Sequence, residues 1–408
     1  MVMRVKVSPD SIAGDVDEGY GKLADVFRRN MTSGQEIGAA VAVYRDGKKV
    51  VNLWGGYRNG MTKAPWQEDT AVTVFSTTKG VSSLAVAVAA SQGLISYDAK
   101  VADHWPEFAQ AGKDSITVRQ LLSHQAGLPV LDRPLTLDDL ADPAKMSAKI
   151  AAQAPAWTPG EWHGYHAVSL GWYESELIRY ADPAGRSLGR YFAEEVATPL
   201  GLDFYIGLPA SVDRSRVAHL HGWSTPEALL HLNTMPAGLV LGLLNPFSLT
   251  RRAFAIPGLR ELADLNRDEL RTVEIPASNG TGTAQSVAKL YGSAATGGAE
   301  IGMTPAALSA LIDAAIPPTR GLRDKVLHID TVFSSGFMKP FPKFKFGSSD
   351  KAFGTPGTGG SFGMADPDTG IGFAYVMNRL GFHVPSDPRE LALRHALFHD
   401  ILGARPQT

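Results

Sequence analysis

The chain has 408 residues, of which 44% are hydrophobic and 20% charged, an ordinary globular balance with mass enough for two or three domains. Lys plus Arg number 39 against 41 Asp plus Glu, so the formal net charge of −2 leaves no basic excess suited to nucleic acid, and no Lys/Arg block suits an anionic membrane. There is no cysteine, which removes disulfides, thiolate catalysis and cysteine-based zinc sites.

The first ten residues, Met1 to Asp10, lack the apolar run of a signal peptide, so a cytoplasmic location is the expectation. Gly19 to Asn30 carries Leu23, Val26 and Phe27 at helical spacing. Two β-prone runs, 38–44 and 49–54, flank Asp46-Gly47, the pattern of a hairpin. The run Ala71-Val72-Thr73-Val74-Phe75 then leads into Ser76-Thr77-Thr78-Lys79 and a long small-residue helix beginning at Gly80. A serine and a lysine three apart on the first turn of a helix share one face. Serine needs a neighbouring base to act as a nucleophile, and a helix N-terminus supplies N–H groups and partial positive charge for an oxyanion. Ser76-x-x-Lys79 therefore reads as an activated nucleophile for acyl transfer. Four-residue motifs recur by chance, and alone this one is equally a Ser/Lys pair on a solvated helix.

From Ser115 to about Leu265 helical patterns dominate, at 117–124, 147–153, 169–180, 188–198 and 226–232. The most apolar stretch, Ala228 to Leu244, is short for a membrane span and is interrupted by His231, Asn233 and Pro236, so it reads as a buried or pocket-lining helix-loop segment. Helical patterns recur at 281–294 and 304–315, and a second hairpin signal, 361–365 and 371–377, flanks Asp366-Pro367-Asp368-Thr369-Gly370. A closing helix is expected over 388–402. Strands at both ends with a helical middle predict one sheet domain built from 1–114 and 266–408, with 115–265 an inserted, mainly helical domain.

A serine hydrolase also needs a proton acceptor and an oxyanion hole. The segment from Trp157 to Trp172 offers a base, and Gly354-Thr355-Pro356-Gly357-Thr358-Gly359-Gly360 offers a glycine-lined strand edge that a substrate can approach closely. Ser-x-x-Lys, Leu-Leu-Ser-His-Gln-Ala-Gly-Leu at 121–128, Pro159-Gly160 followed by Tyr165, and the Gly-rich strand occur in that order. Together they resemble the serine β-lactamase-related superfamily, and the spacing is most similar to its family VIII carboxylesterase branch. The resemblance runs from about Gly38 to Asn378. It implies an α/β (α+β) fold of the β-lactamase/penicillin-binding-protein type, with a central antiparallel sheet flanked by helices.

The resemblance also implies roles. Ser76 matches the acylated serine, Lys79 the lysine of its proton network, and Tyr165 the tyrosine that acts with the lysine as general base and acid. The N–H groups of Ser76 and Thr358 match the oxyanion donors. The sequence departs from the pattern in two places: His166 and Ala167 follow Tyr165, so the asparagine of Tyr-x-Asn is missing, and Thr355-Pro356-Gly357 stands where β-lactamases have Lys-Thr-Gly. That lysine helps bind an antibiotic's carboxylate, so its loss argues against strong β-lactamase activity. Candidate substrate contacts are Trp162, His166, Thr355, Gly357 and Gly359. Met235 and Leu239, with Leu241, Leu243 and Phe247, either line an acyl pocket or form ordinary core.

A rival nucleophile, Ser361, lies in Gly359-Gly360-Ser361-Phe362-Gly363, which fits the Gly-x-Ser-x-Gly elbow, but a turn follows too soon for the helix that elbow requires. His163, His166, His219 and His221 lack metal-ligand spacing, so no metal or cofactor is expected. The leading reading is a carboxylesterase for short- or medium-chain small-molecule esters. Alternatives are a D-amino-acid peptidase or amidase, a β-lactamase, an acyltransferase, or a non-catalytic scaffold of the same fold.

Overall fold

The computed structural model describes residues 6–133, 135–223 and 225–407. Residues 1–5, part of the segment read above for a leader, lie outside the described residues. Strand β1 (Ile12–Val16) precedes helix α1 (Gly21–Thr32), which buries Leu23, Val26, Phe27 and Met31 on one face. β2 (Gly38–Arg45) and β3 (Lys48–Asn59) follow as an antiparallel hairpin. Asp46 and Gly47 both take left-handed backbone, at φ 50° and 76°, as a tight turn matched to strand twist requires. After the short strands β4 (Ala64–Pro65) and β5 (Val72–Thr73) comes α2 (Thr77–Ser91), the helix that carries the Ser-x-x-Lys motif.

The elements the site uses next are α3 (Val118–Leu122), α4 (Ser169–Ala181), β6 (Phe204–Tyr205), α5 (Ala237–Leu244), β7 (Thr281–Gly282) and α6 (Ala284–Ala295). Strands β8 (Phe353–Pro356), β9 (Phe362–Asp366) and β10 (Ile371–Met377) and helix α7 (Pro388–His395) complete the set. The main sheet runs β1-β3-β2-β10-β9-β8 with every pairing antiparallel, and β4 adds to β3. Strands from both ends of the chain therefore meet at the β2–β10 seam. A small second sheet, β5-β7-β6, ties the approach to α2 to residues near 205 and 281.

Helices cover both faces of the main sheet, which is why β2, β9 and β10 read as continuous apolar runs. On one face Gly372 of β10 lies so close to α6 that a Cβ there would meet the Gly292 nitrogen at 2.1 Å. Side chains alternate along a strand, so Tyr375 points to the other face, where it bonds Glu36 and Glu36 in turn bonds Arg389 of α7. α2 is buried from Thr77 through Ala89. Small residues make that possible: Gly80 admits the Tyr291 hydroxyl and Thr355, and Ser83 faces α4.

Two sequence expectations are corrected. The helical pattern at 281–294 begins as strand, because the Thr281 hydroxyl pairs with Thr73 and Thr283 caps the helix that starts at Ala284. The apolar stretch around α5 is buried only in part: Leu241 is 69% and Phe247 88% exposed, and Leu229, Leu230 and Leu244 are exposed too. α5 meets its neighbours through Leu239, which is core, and through Gly238 against His328 and Gly242 against Thr250, so one narrow face is covered and Leu241 and Leu244 are left out. Among the described residues no helix is long and apolar enough to cross a membrane.

Candidate active site

The chain enters α2 through a strained turn. Phe75 is buried with φ 48°, a left-handed backbone that costs a bulky residue of order 1–3 kcal/mol. Val74 N–H bonds Gly280 O, and the Thr78 hydroxyl is shared between Phe75 O and Gly280 N–H, which holds the turn in place. The turn sets Ser76 at the N-cap position, but its side chain makes no cap bond. Its hydroxyl faces Lys79 instead, with Lys79 Nζ 3.0 Å from Ser76 Oγ and 2.9 Å from Ala277 O. Lys79 is 1% exposed, so the solvated-helix reading of the pair does not hold. Burial pushes the lysine down to about 7, and Glu174 opposes that shift in part.

Tyr165 reaches the same point from the other side. Its hydroxyl lies close enough to Ser76 for the serine to favour the phenolate, and Lys79 Nζ lies 4.9 Å from its ring centroid. Its backbone N–H is held by the buried carboxylate of Asp324 at 3.0 and 3.2 Å, which also accepts from Val326 and Leu327 N–H. His124 and Phe333 pack on the ring, centroids 5.1 and 6.3 Å away. Burial pushes the phenol up and Ser76 moderates the shift, so Tyr165 stays protonated.

His166 does not face substrate. It is fully buried, its Nδ1 is 2.7 Å from Gly164 O, and its Nε2 accepts the Leu128 N–H at 2.9 Å. An Nδ1–H tautomer satisfies both bonds, and burial pushes the ring down to about 3. It supplies no cation to Tyr165. It fastens the 124–128 loop to the tyrosine segment, together with the bond from His166 N–H to His124 Nδ1. A histidine directly after the tyrosine carries no sequence signal for this inward role; the Leu128 contact is tertiary.

The turn between β8 and β9 lies against the start of α2. The Thr77 hydroxyl bonds Thr355 O and contacts the Ser361 hydroxyl, and a Cβ on Gly357 would meet Ser361 Oγ at 2.2 Å and Val74 O at 2.4 Å. Only glycine allows that approach, and Thr358 follows in the turn, half-buried. Gly359 and Gly360 take φ 89° and 115°. The Thr355 side chain is buried toward Gly80 and Tyr291 rather than directed to a ligand, which corrects the expectation that it contacts substrate. Ser361 is buried, its hydroxyl donates to Val74 O at 2.7 Å, and strand β9 follows it; the Gly-x-Ser-x-Gly match is thus a packing feature.

A buried ion network, absent from the sequence reading, holds this turn from behind. Arg389 donates to Gly359 O at 2.9 Å, to both Asp387 oxygens and to Glu36. Removing the guanidinium leaves two buried carboxyl groups without their cation, so Arg389→Met is expected to cost about 3–5 kcal/mol, read as a lower urea midpoint.

Of the remaining candidates, Trp162 is half-buried with Lys325 Nζ 4.5 Å from its ring centroid. Leu239 is core and Met235 packs against that core. Neither lines the apolar cavity of about 250 Å³ found nearby in the chain, whose walls include Leu131, Leu135, Val168, Trp172 and Ile256. Val168 lies three residues beyond Tyr165, and Phe254, between the wall residues Ala253 and Ala255, has its ring 6.3 Å from that of Tyr165. His219 and His221 pack ring to ring at 5.0 Å, and His221 accepts the Gly60 N–H.

An antiparallel sheet clothed by helices, with a buried Ser-x-x-Lys pair at the head of the innermost helix, defines a serine hydrolase of the penicillin-recognising fold. The β-lactamase family model matches residues 23–398, and the chain belongs to that family. It is 35% identical over 370 residues to the "Esterase/beta-lactamase LipL" of Mycobacterium tuberculosis, covering 90% of this chain and 83% of that protein. A crystal structure of a family VIII carboxylesterase superposes with TM-score 0.83 at 36% identity, covering 94% of this chain and 98% of the other. A penicillin-binding protein homolog from Caulobacter crescentus gives TM-score 0.80 at 36% identity, covering 95% and 98%.

Proposed function

We propose that the protein hydrolyses short- or medium-chain carboxylic esters through an acyl-enzyme on Ser76. The observation that carries this is Lys79 Nζ standing 3.0 Å from Ser76 Oγ in a site dry enough to hold its amine near neutrality. The family resemblance makes Tyr165, coupled to Lys79, the acceptor of the serine proton. Within the pair Lys79 is the better acceptor, because burial depresses the lysine and raises the phenol.

Ser76 Oγ transfers its proton to the Lys79 lone pair and attacks the ester carbonyl. The tetrahedral oxyanion is met by the N–H groups of Ser76 and Thr358. As the C–O bond to the alcohol breaks, Tyr165 O–H protonates the leaving oxygen and is re-protonated from the Lys79 ammonium. Water then attacks the acyl-enzyme by the same route and frees Ser76. The cavity walled by Leu131, Trp172 and Ile256 is the candidate acyl pocket, being apolar and adjoining the tyrosine's neighbours.

The inward-facing Thr355 puts no cation where a β-lactam carboxylate is recognised, which favours esters. The name of the mycobacterial relative supports weak β-lactam turnover as a second activity. The test is a p-nitrophenyl ester series, acetate to octanoate, beside nitrocefin. A stoichiometric burst and an acyl adduct on the Ser76 peptide by mass spectrometry are expected. Folded protein with neither would remove the proposal and favour a scaffold.

A further inference from the structure

Ser76, Lys79 and Ser83 lie at i, i+3 and i+7 of α2 and so share one face. Below Lys79 on that face the Ser83 hydroxyl donates to Oε1 of Glu174 on α4 at 2.6 Å. Glu174 is fully buried, and among the described residues its second oxygen, Oε2, has no hydrogen-bond partner. A buried carboxyl with an unused oxygen is costly unless it does something an amide or an apolar side chain would not. Hydrogen bonding to Ser83 does not explain it, because a glutamine oxygen accepts that bond equally well.

The groups that face Glu174 are few. Lys79 and Ser83 face it from α2, and the buried Tyr97 hydroxyl, itself without a partner, faces it from the segment after α2. Lys79 in turn faces Tyr165 and His124, the latter buried and held neutral. Asp324 acts on Tyr165 from the far side. Glu174 is therefore the carboxyl that acts on Lys79.

Resting on the reading of Ser76 and Lys79 given above, we propose that Glu174 is a positioning residue for Lys79: anchored by Ser83 across the α2–α4 interface, its buried carboxyl biases through its charge whether Lys79 stands as amine or ammonium. Burial pushes Glu174 up and Lys79 down, and the attraction between their charged forms opposes both shifts. Their titrations are therefore coupled, each group's charge favouring the charged form of the other. A protonated Glu174 favours the free amine, able to accept from Ser76. An ionised Glu174 favours the ammonium.

The experiment is kcat/KM for p-nitrophenyl butyrate from about pH 5 to about pH 9 on wild type and Glu174→Gln, with burst amplitude recorded on the same samples. Wild type is expected to need two ionisations. Glu174→Gln keeps the Ser83 bond and the plateau rate, needs one ionisation, and moves the acid limb down by about half a pH unit or more, since the lysine loses its anionic partner. A full burst with an unmoved limb, or one moved upward, overturns the proposal and leaves the Ser76 reading intact; absence of a wild-type burst would fail that reading first. Should the glutamine variant not fold, Ser83→Ala serves. It removes a bond that favours ionised Glu174, so the same downward shift is expected, and an unmoved limb again overturns the proposal.

Discussion

Ser76→Ala is expected to abolish the burst and the adduct and to lower kcat on p-nitrophenyl esters by about 10⁴-fold or more, the scale on which removal of a covalent nucleophile falls in serine hydrolases. The substitution removes a hydroxyl that makes no cap bond, so the helix start is not weakened. It also strips Lys79 of one of its two close oxygen partners and leaves Ala277 O at 2.9 Å. The melting temperature should therefore stay near that of wild type, which separates loss of chemistry from loss of fold. Ser361→Ala is the control: its hydroxyl ties Val74 O and Thr77, so stability falls while burst stoichiometry per folded molecule is kept. Retained turnover in Ser76→Ala with loss in Ser361→Ala would transfer the nucleophile to residue 361.

Tyr165→Phe is the second large effect. General acid–base catalysis is worth about 10²- to 10⁴-fold, and Tyr165 holds a proton that burial keeps in place. The ring stays wedged among His124, Phe254 and Phe333, so phenylalanine fits the same space. The loss should depend on the leaving group. p-Nitrophenolate departs without a proton, whereas an ethyl ester requires one. A deficit much larger on the ethyl ester than on the p-nitrophenyl ester identifies Tyr165 as the acid. An equal deficit on both would instead make it a holder of Ser76 and Lys79.

Much of the chemistry was legible because it is local. An i, i+3 serine and lysine share a helix face whatever surrounds them. Asp46-Gly47 between β-prone runs forms a hairpin because that pair accepts left-handed backbone, and the observed φ values are those the turn needs. The amphipathic spacing of α1 likewise follows from residues within one element. The α5 stretch failed for the complementary reason. Apolarity shows that a segment gains by burial, not that a partner is there, and α5 is covered on only one narrow face, at Gly238, Leu239 and Gly242.

By itself the sequence determined the motif order, the hairpins and the residues able to act at Ser76, since these depend on spacing along one strand or helix. Tertiary structure alone decided the electrostatics. Lys79 sheds its proton readily enough to serve as a base because α2 is buried through Ala89, and no window around residue 79 contains Glu174, Asp324 or Tyr165. It decided equally that His166 and Thr355 turn inward, and that Arg389 clamps Gly359 across 30 residues. Desolvation and ion pairing depend on which distant atoms replace water, and that is a property of the packed molecule rather than of neighbours along the chain.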